Sequence, residues 1–158
     1  MKVIYYSRVV FISYEFVSLL ASLIAYLYFE DTMHVYVQSI SINEEGMKWV
    51  VLYPMGIATW MLKEGISIIF PSEETNQILH KWDKYWMLKA HFNIGIFYAI
   101  ILTIPCLYLW LTSKLVTSWG ISIFSACALA ISLAAFSFYG ARIKVKELLI
   151  QADKSSNN

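Results

Sequence analysis

The chain has 158 residues, of which 59% are hydrophobic and only 15% are charged. Soluble domains usually carry about 25% charged residues, and a soluble chain of this length has no interior large enough to hold so much apolar surface. The sequence therefore predicts a small membrane protein. Its formal net charge of +1 argues against nucleic-acid binding, which requires a basic face that neutralises phosphates.

The two cysteines, Cys106 and Cys127, both lie in apolar runs rather than in loops. A disulfide framework in a small secreted chain requires several exposed cysteines. We therefore interpret both as reduced thiols that pack in the membrane as small hydrophobic side chains.

The first predicted membrane span covers residues 9–29 and contains one acidic residue, Glu15. About 21 residues at ~1.5 Å per residue are long enough to cross a hydrocarbon core ~30 Å thick. A cleaved signal peptide would have a shorter apolar core and would end in small residues, whereas this run ends in two aromatic and two acidic residues. We expect the segment to be retained as a transmembrane helix.

Residues 30–46 form a polar, acidic connection whose middle alternates between apolar and polar side chains. Such alternation fits either a short strand or an interfacial segment.

The second predicted span covers residues 47–70, with Pro54 near its start, where a modest kink is tolerated. It also contains the adjacent pair Lys63 and Glu64.

Residues 71–75, PSEET, indicate that one helix stops and another begins, because Ser72 can cap a new helix. Over residues 73–90 we predict a short helix that lies on the cytoplasmic surface of the membrane. Its aromatic and basic side chains suit lipid headgroups or a protein partner. These side chains are Trp82, Tyr85, Trp86, Lys81 and Lys84. The alternative is that this segment forms the first turns of a long third helix.

The third and fourth predicted spans cover residues 92–112 and 119–139, and the short turn between them requires antiparallel neighbours. The fourth span carries small residues at a spacing of four, namely Ala126, Ala130 and Ala134. Small residues let a second backbone approach closely, either within the chain or in a contact between subunits. Residues 140–158 form a basic cytoplasmic tail whose end, SSNN, we expect to be disordered.

The predicted fold is therefore all-α, with four transmembrane helices in an antiparallel bundle and one short cytoplasmic interfacial helix. Most basic residues lie on the side that holds both termini and the connection over residues 71–91. The positive-inside rule places that side in the cytoplasm. We expect a bacterial inner membrane, with anionic lipid headgroups in contact with the basic surface.

Three charged residues, Glu15, Lys63 and Glu64, lie well inside the predicted spans, away from their ends at the outer surface. Glu15 and Lys63 are both ~10 Å from the cytoplasmic end of their helices. A charge at the centre of a membrane helix costs about 2.5 to 3.5 kcal/mol, so such residues usually find partners. We expect Glu15 and Lys63 to pair, either to hold helices together or as part of an ion path. Glu64 points about 100° away from Lys63 and must face elsewhere, for example towards His91.

Candidate metal ligands are few. His80 and Asp83 have a spacing of three, and His91 follows in sequence. On one helix His80 and His91 would be ~16 Å apart, too far for one ion. We interpret the histidines as members of interfacial polar networks. The chain contains no nucleophile elbow, phosphate loop or zinc motif, and no cofactor is expected.

Three classes of function fit the sequence. An oligomer or partner-binding protein, such as a pore-forming effector or an immunity protein in bacterial competition, is favoured by the small size, the alanines and the aromatic segment. A small ion- or proton-coupled transporter or channel would use Glu15 and Lys63, although the two halves show no inverted repeat. A membrane-embedded enzyme would depend on His80, Asp83 and His91 alone.

Overall fold

The computed structural model describes residues 2–39, 44–69, 82 and 85–156. Every regular element within these residues is helical, which confirms the predicted all-α class. The helices are α1 (Lys2–Phe11), α2 (Tyr14–Ser39), α3 (Glu44–Val50), α4 (Leu52–Ile69), α5 (Tyr85–Leu111) and α6 (Ser118–Ser156).

Three segments of the described chain are long and apolar enough to cross a membrane. They are Tyr5–Ser39, Tyr85–Leu111 and Ser118–Glu147. They support the prediction of a membrane protein and overlap the first, third and fourth predicted spans. α4 covers most of the second predicted span but is not among these segments, because Lys63 and Glu64 interrupt its apolar run.

The first apolar segment is broken, which corrects the continuous helix predicted over residues 9–29. α1 ends at Phe11 and α2 begins at Tyr14. Ser13 caps α2, since its Oγ accepts a hydrogen bond from the N–H of Phe16 at 3.1 Å. The physical reason for the break is therefore a local cap that competes with continuation of the helix.

α2 continues further than predicted and ends at Ser39, with a kink at Phe29 where φ is −116° and ψ is 17°. Residues 30–39 are therefore helical, and a strand at this position is wrong. Apolar and polar residues alternate here, but strand propensity depends on a neighbouring strand, and the described residues include none.

α5 begins at Tyr85, so residues 85–90 belong to the helix of the third predicted span rather than to a separate interfacial helix. The rest of the predicted interfacial helix, apart from Trp82, lies outside the described residues. α6 runs without interruption to Ser156, so most of the predicted tail is helical, including the two serines of SSNN. α6 thus extends well beyond the span predicted over residues 119–139.

The core lies between α4, α5 and α6, and we divide it into two parts. The closed end is a tightly buried apolar cluster formed by Val51, Leu102, Cys106, Leu109, Leu115, Phe124, Cys127, Ala130 and Ile131. The second cluster lies further along the helices and consists of Ala58, Met61, Phe92, Ala99, Ala134 and Phe138. α2 packs along α6 outside this core.

Candidate functional site

The break between α1 and α2 places Glu15 in the first turn of α2. The carbonyl oxygen of Val10, near the end of α1, accepts hydrogen bonds from Ser13 Oγ at 3.1 Å and from the Tyr98 hydroxyl at 3.0 Å. Carbonyls at a helix end lack partners within the helix, and an unsatisfied carbonyl costs several kcal/mol inside a membrane. The two hydroxyl groups therefore stabilise the break, and Tyr98 links it to α5.

Tyr5 attaches α1 to the beginning of α5. Its hydroxyl lies 3.0 Å from Nε2 of His91, with the direction of donation set by the histidine tautomer. The Tyr5 ring also meets the Trp86 ring edge to face, with the centroids 5.0 Å apart. α1 is consequently held beside α5 at a fixed position, next to Glu15.

A cavity of about 690 Å³ lies between α1, α2, α5 and α6, and we call it the Glu15 cavity. Its buried lining residues include Glu15, Phe92, Ile94, Ala134, Phe138 and Val145. Its basic lining residues, Arg8, His91 and Lys144, are all exposed. The cavity therefore has a buried apolar wall and a rim that carries three exposed basic side chains.

Glu15 is the only acidic residue among the described residues that line this cavity, and it is 7% exposed. Within the described part of the chain, no hydrogen bond or ion pair joins its carboxylate to another side chain. His91 is close enough for its charge to interact with that of Glu15. The N-terminus of α2 favours a negative charge at this position. The carboxylate can thus hold a proton or attract a cation that enters the cavity.

The predicted ion pair between Glu15 and Lys63 is not formed between these two described side chains. Lys63 is exposed, whereas Glu64 pairs with Arg142 of α6 at 3.0 Å. Neighbouring residues on a helix point about 100° apart, and in α4 it is Glu64 rather than Lys63 that faces α6. The prediction failed because α2, which carries Glu15, packs mainly on α6 rather than on α4. The Glu64 partner was missed because Arg142 was assigned to a tail beyond the fourth span.

The aromatic side chains predicted to bind a partner pack against the chain itself. Tyr85 is 4% exposed and lies against Val145 of α6, and Trp82 is partly buried beside them. Trp86 contacts Tyr5. These side chains face inward because α5 continues from Tyr85 into the bundle, which brings its first turn against α6.

The small-residue stripe of α6 also lies largely inside the chain. Ala130 and Ala134 are 0% and 2% exposed and belong to the two core clusters, whereas Ala126 is partly exposed. Ala130 and Ala134 therefore allow helices of the same chain to approach each other closely.

The remaining predicted site residues lie outside the described residues: His80, Lys81, Asp83 and Lys84. In the part of the chain that the structure describes, no three His, Cys, Asp or Glu side chains group together as metal ligands. His91 instead makes its contact with the Tyr5 hydroxyl.

Three residues that organise the site, Tyr5, Ser13 and Tyr98, were missed from the sequence. Ser13 did carry a signal, because a serine two positions before an acidic residue is typical of a helix N-terminus. Tyr5 and Tyr98 carried none, since they are two of 11 tyrosines and their partners are 86 and 88 residues away.

No known protein family, characterised protein or solved structure matches the chain.

Proposed function

We propose that the protein is a small membrane carrier in which a solute binds in the Glu15 cavity and its transport is coupled to a proton on the Glu15 carboxylate. The observation that carries this proposal is the burial of Glu15 beside a cavity of about 690 Å³. An ionisable group held in a membrane helix without a direct partner among the described residues is expensive, and such groups mark substrate, ion or proton pathways.

The break between α1 and α2 supports the same proposal. Carriers often form their binding sites where a transmembrane helix is interrupted, because the interruption frees backbone groups and positions a helix end at the solute. Here the interruption lies at Ile12 and Ser13, and both residues line the Glu15 cavity. The N-terminus of α2 and its first acidic residue thus meet at the site.

The proposal includes four membrane crossings, with both termini in the cytoplasm of a bacterial inner membrane. α4 supports a fourth crossing because it packs on α5 and α6 in both core clusters. The basic rim formed by Arg8, His91 and Lys144 supports a cavity that opens towards the cytoplasm, where basic residues concentrate.

The other two functions have less support. The assembly hypothesis relied on side chains of α5 and α6 that pack mostly within the chain. The enzyme hypothesis relied on three residues, of which only His91 lies in the described part.

The proposal is tested by flux measurements on the full chain in liposomes that contain a pH-sensitive dye. Two permanently charged aromatic probes of similar size, benzyltrimethylammonium and benzylsulfonate, are added separately to the outside. We expect transport of one of them to be accompanied by proton movement across the membrane, which the dye detects. Glu15→Gln keeps the shape of the side chain but cannot ionise, so it should reduce this flux to that of empty liposomes.

The matched control is Glu30→Gln, because Glu30 lies on the same helix but is exposed and accepts a hydrogen bond from Tyr26 at 3.3 Å. This variant should retain the flux. A flux that survives Glu15→Gln, or its absence in the wild-type protein with both probes, would contradict the proposal.

A further inference from the structure

The charges around the Glu15 cavity differ in sign with depth. Among the described residues that line it, those that are titratable or charged are Tyr5, Arg8, Tyr14, Glu15, His91 and Lys144. Only Glu15 is buried, whereas the three basic residues are exposed. Water and salt weaken the field of an exposed charge within about 10 Å, and they weaken that of a buried charge much less. The carboxylate therefore determines which charge is favoured deep in the cavity.

The wall beside Glu15 is aromatic and apolar. The rings of Phe92 and Phe138 meet edge to face with centroids 4.2 Å apart, and both residues are buried and line the cavity. A small metal cation requires six or more oxygen ligands or retains its water, and this wall offers neither. Aromatic faces and apolar groups instead suit an organic ammonium group.

The size of the cavity points the same way. A volume of about 690 Å³ lies within the range of roughly 300 to 1,000 Å³ that holds a drug-sized ligand. Gly140 of α6 lines this space, and a Cβ atom added there would meet no other atom within 4 Å. A bare ion would leave most of it unfilled.

We infer that the solute of the Glu15 cavity is a monovalent organic cation, an ammonium group on an apolar or aromatic body. This inference rests on the proposed carrier function and names its substrate class. The ammonium group lies against the Glu15 carboxylate, and the apolar body lies against Phe92 and Phe138.

The exchange conserves charge and atoms. The protonated carboxyl group of Glu15 releases its proton to water at the rim, and the resulting carboxylate forms an ion pair with the ammonium group. No covalent bond forms in the solute. Because proton and cation compete for one group, binding of the cation displaces the proton.

Isothermal titration calorimetry on the detergent-solubilised full chain tests this assignment. The probes are benzyltrimethylammonium, benzylsulfonate and benzyl alcohol, which share a ring but differ in charge. We expect saturable binding of the cation alone. In acidic solution, a comparison of buffers with different ionisation enthalpies should show up to one proton released per cation bound. Glu15→Gln should abolish this binding, and Glu30→Gln should retain it.

The outcomes separate the inference from the proposed function. Glu15-dependent binding of benzylsulfonate, with benzyltrimethylammonium excluded, would overturn the cation assignment and leave the carrier proposal intact. Cation binding that survives Glu15→Gln would overturn the assignment of the site. A complete lack of binding and of flux with every probe would overturn both.

A second variant keeps the test decisive if Glu15→Gln fails to fold. Gly140 lines the cavity, and a Cβ atom added there meets no other atom within 4 Å. Gly140→Leu therefore adds bulk to the wall and leaves the carboxylate intact. We expect weaker cation binding, and unchanged affinity would overturn the placement of the apolar body in this cavity.

Discussion

The closed end and the Glu15 cavity are built from the same two helices, α5 and α6, but they are packed in opposite ways. At the closed end Leu109, Cys106 and Ile131 are fully buried, and Cys127 is buried in the same cluster. At the cavity, the same two helices leave space that α1 and α2 enclose. The contrast shows that one helix pair can be close-packed at one end and leave a cavity at the other.

Substitutions at two glycines of α6 test this contrast, and the larger effect on stability is expected at Gly120. A Cβ atom at Gly120 would collide with the carbonyl oxygen of Lys114 and approach Thr117 Oγ1 to 2.8 Å. We expect Gly120→Ala to lower the free energy of unfolding by about 1 to 3 kcal/mol, because backbone in the turn before α6 must shift. Denaturant-induced unfolding in mixed micelles measures this change.

Gly140→Ala is the matched variant on the same helix, where the added Cβ atom meets open space. Because alanine favours a helix over glycine by about 0.5 to 1 kcal/mol, this variant should unfold at an equal or slightly higher denaturant concentration. Equal destabilisation by the two substitutions would show that the cavity end is packed as tightly as the closed end.

The local stability of α1 can also be compared with that of the closed end, and here the expected change in stability is smaller. Tyr98→Phe removes the hydroxyl group that donates to the Val10 carbonyl, so it should cost about 1 kcal/mol. The loss should be local, with faster amide hydrogen exchange in α1 and unchanged exchange at the closed end. Tyr108→Phe, an exposed substitution on the same helix, should change neither.

Uniform acceleration of exchange throughout the chain after Tyr98→Phe would contradict this account. It would mean that α1 and the closed end open as one cooperative unit.

The sequence predicted those features that depend on local composition. Long apolar runs identified the membrane segments, and the rarity of acidic residues within them singled out Glu15. The same reasoning missed the cap at Ser13, because a long hydrophobic run favours an uninterrupted helix in any sequence-based reading.

Contacts between distant parts of the chain could not be predicted in the same way. Glu64 and Arg142 pair because of the rotation of α4 relative to α6, which no local pattern records. The spacing of Ala126, Ala130 and Ala134 indicated a close helix contact but not which helix makes it. The aromatic stripe at Tyr85 was equally compatible with the membrane surface and with the interior, because both environments favour aromatic side chains.

The central claim is that Glu15 holds either a proton or a cation inside a cavity, and infrared difference spectroscopy tests it most directly. In acidic solution, addition of benzyltrimethylammonium to the wild-type protein should remove the C=O stretching band of a protonated carboxyl group and create a carboxylate band. The change should persist in Glu30→Gln and vanish in Glu15→Gln. An unchanged carboxyl band in the wild-type protein at saturating cation would contradict the account.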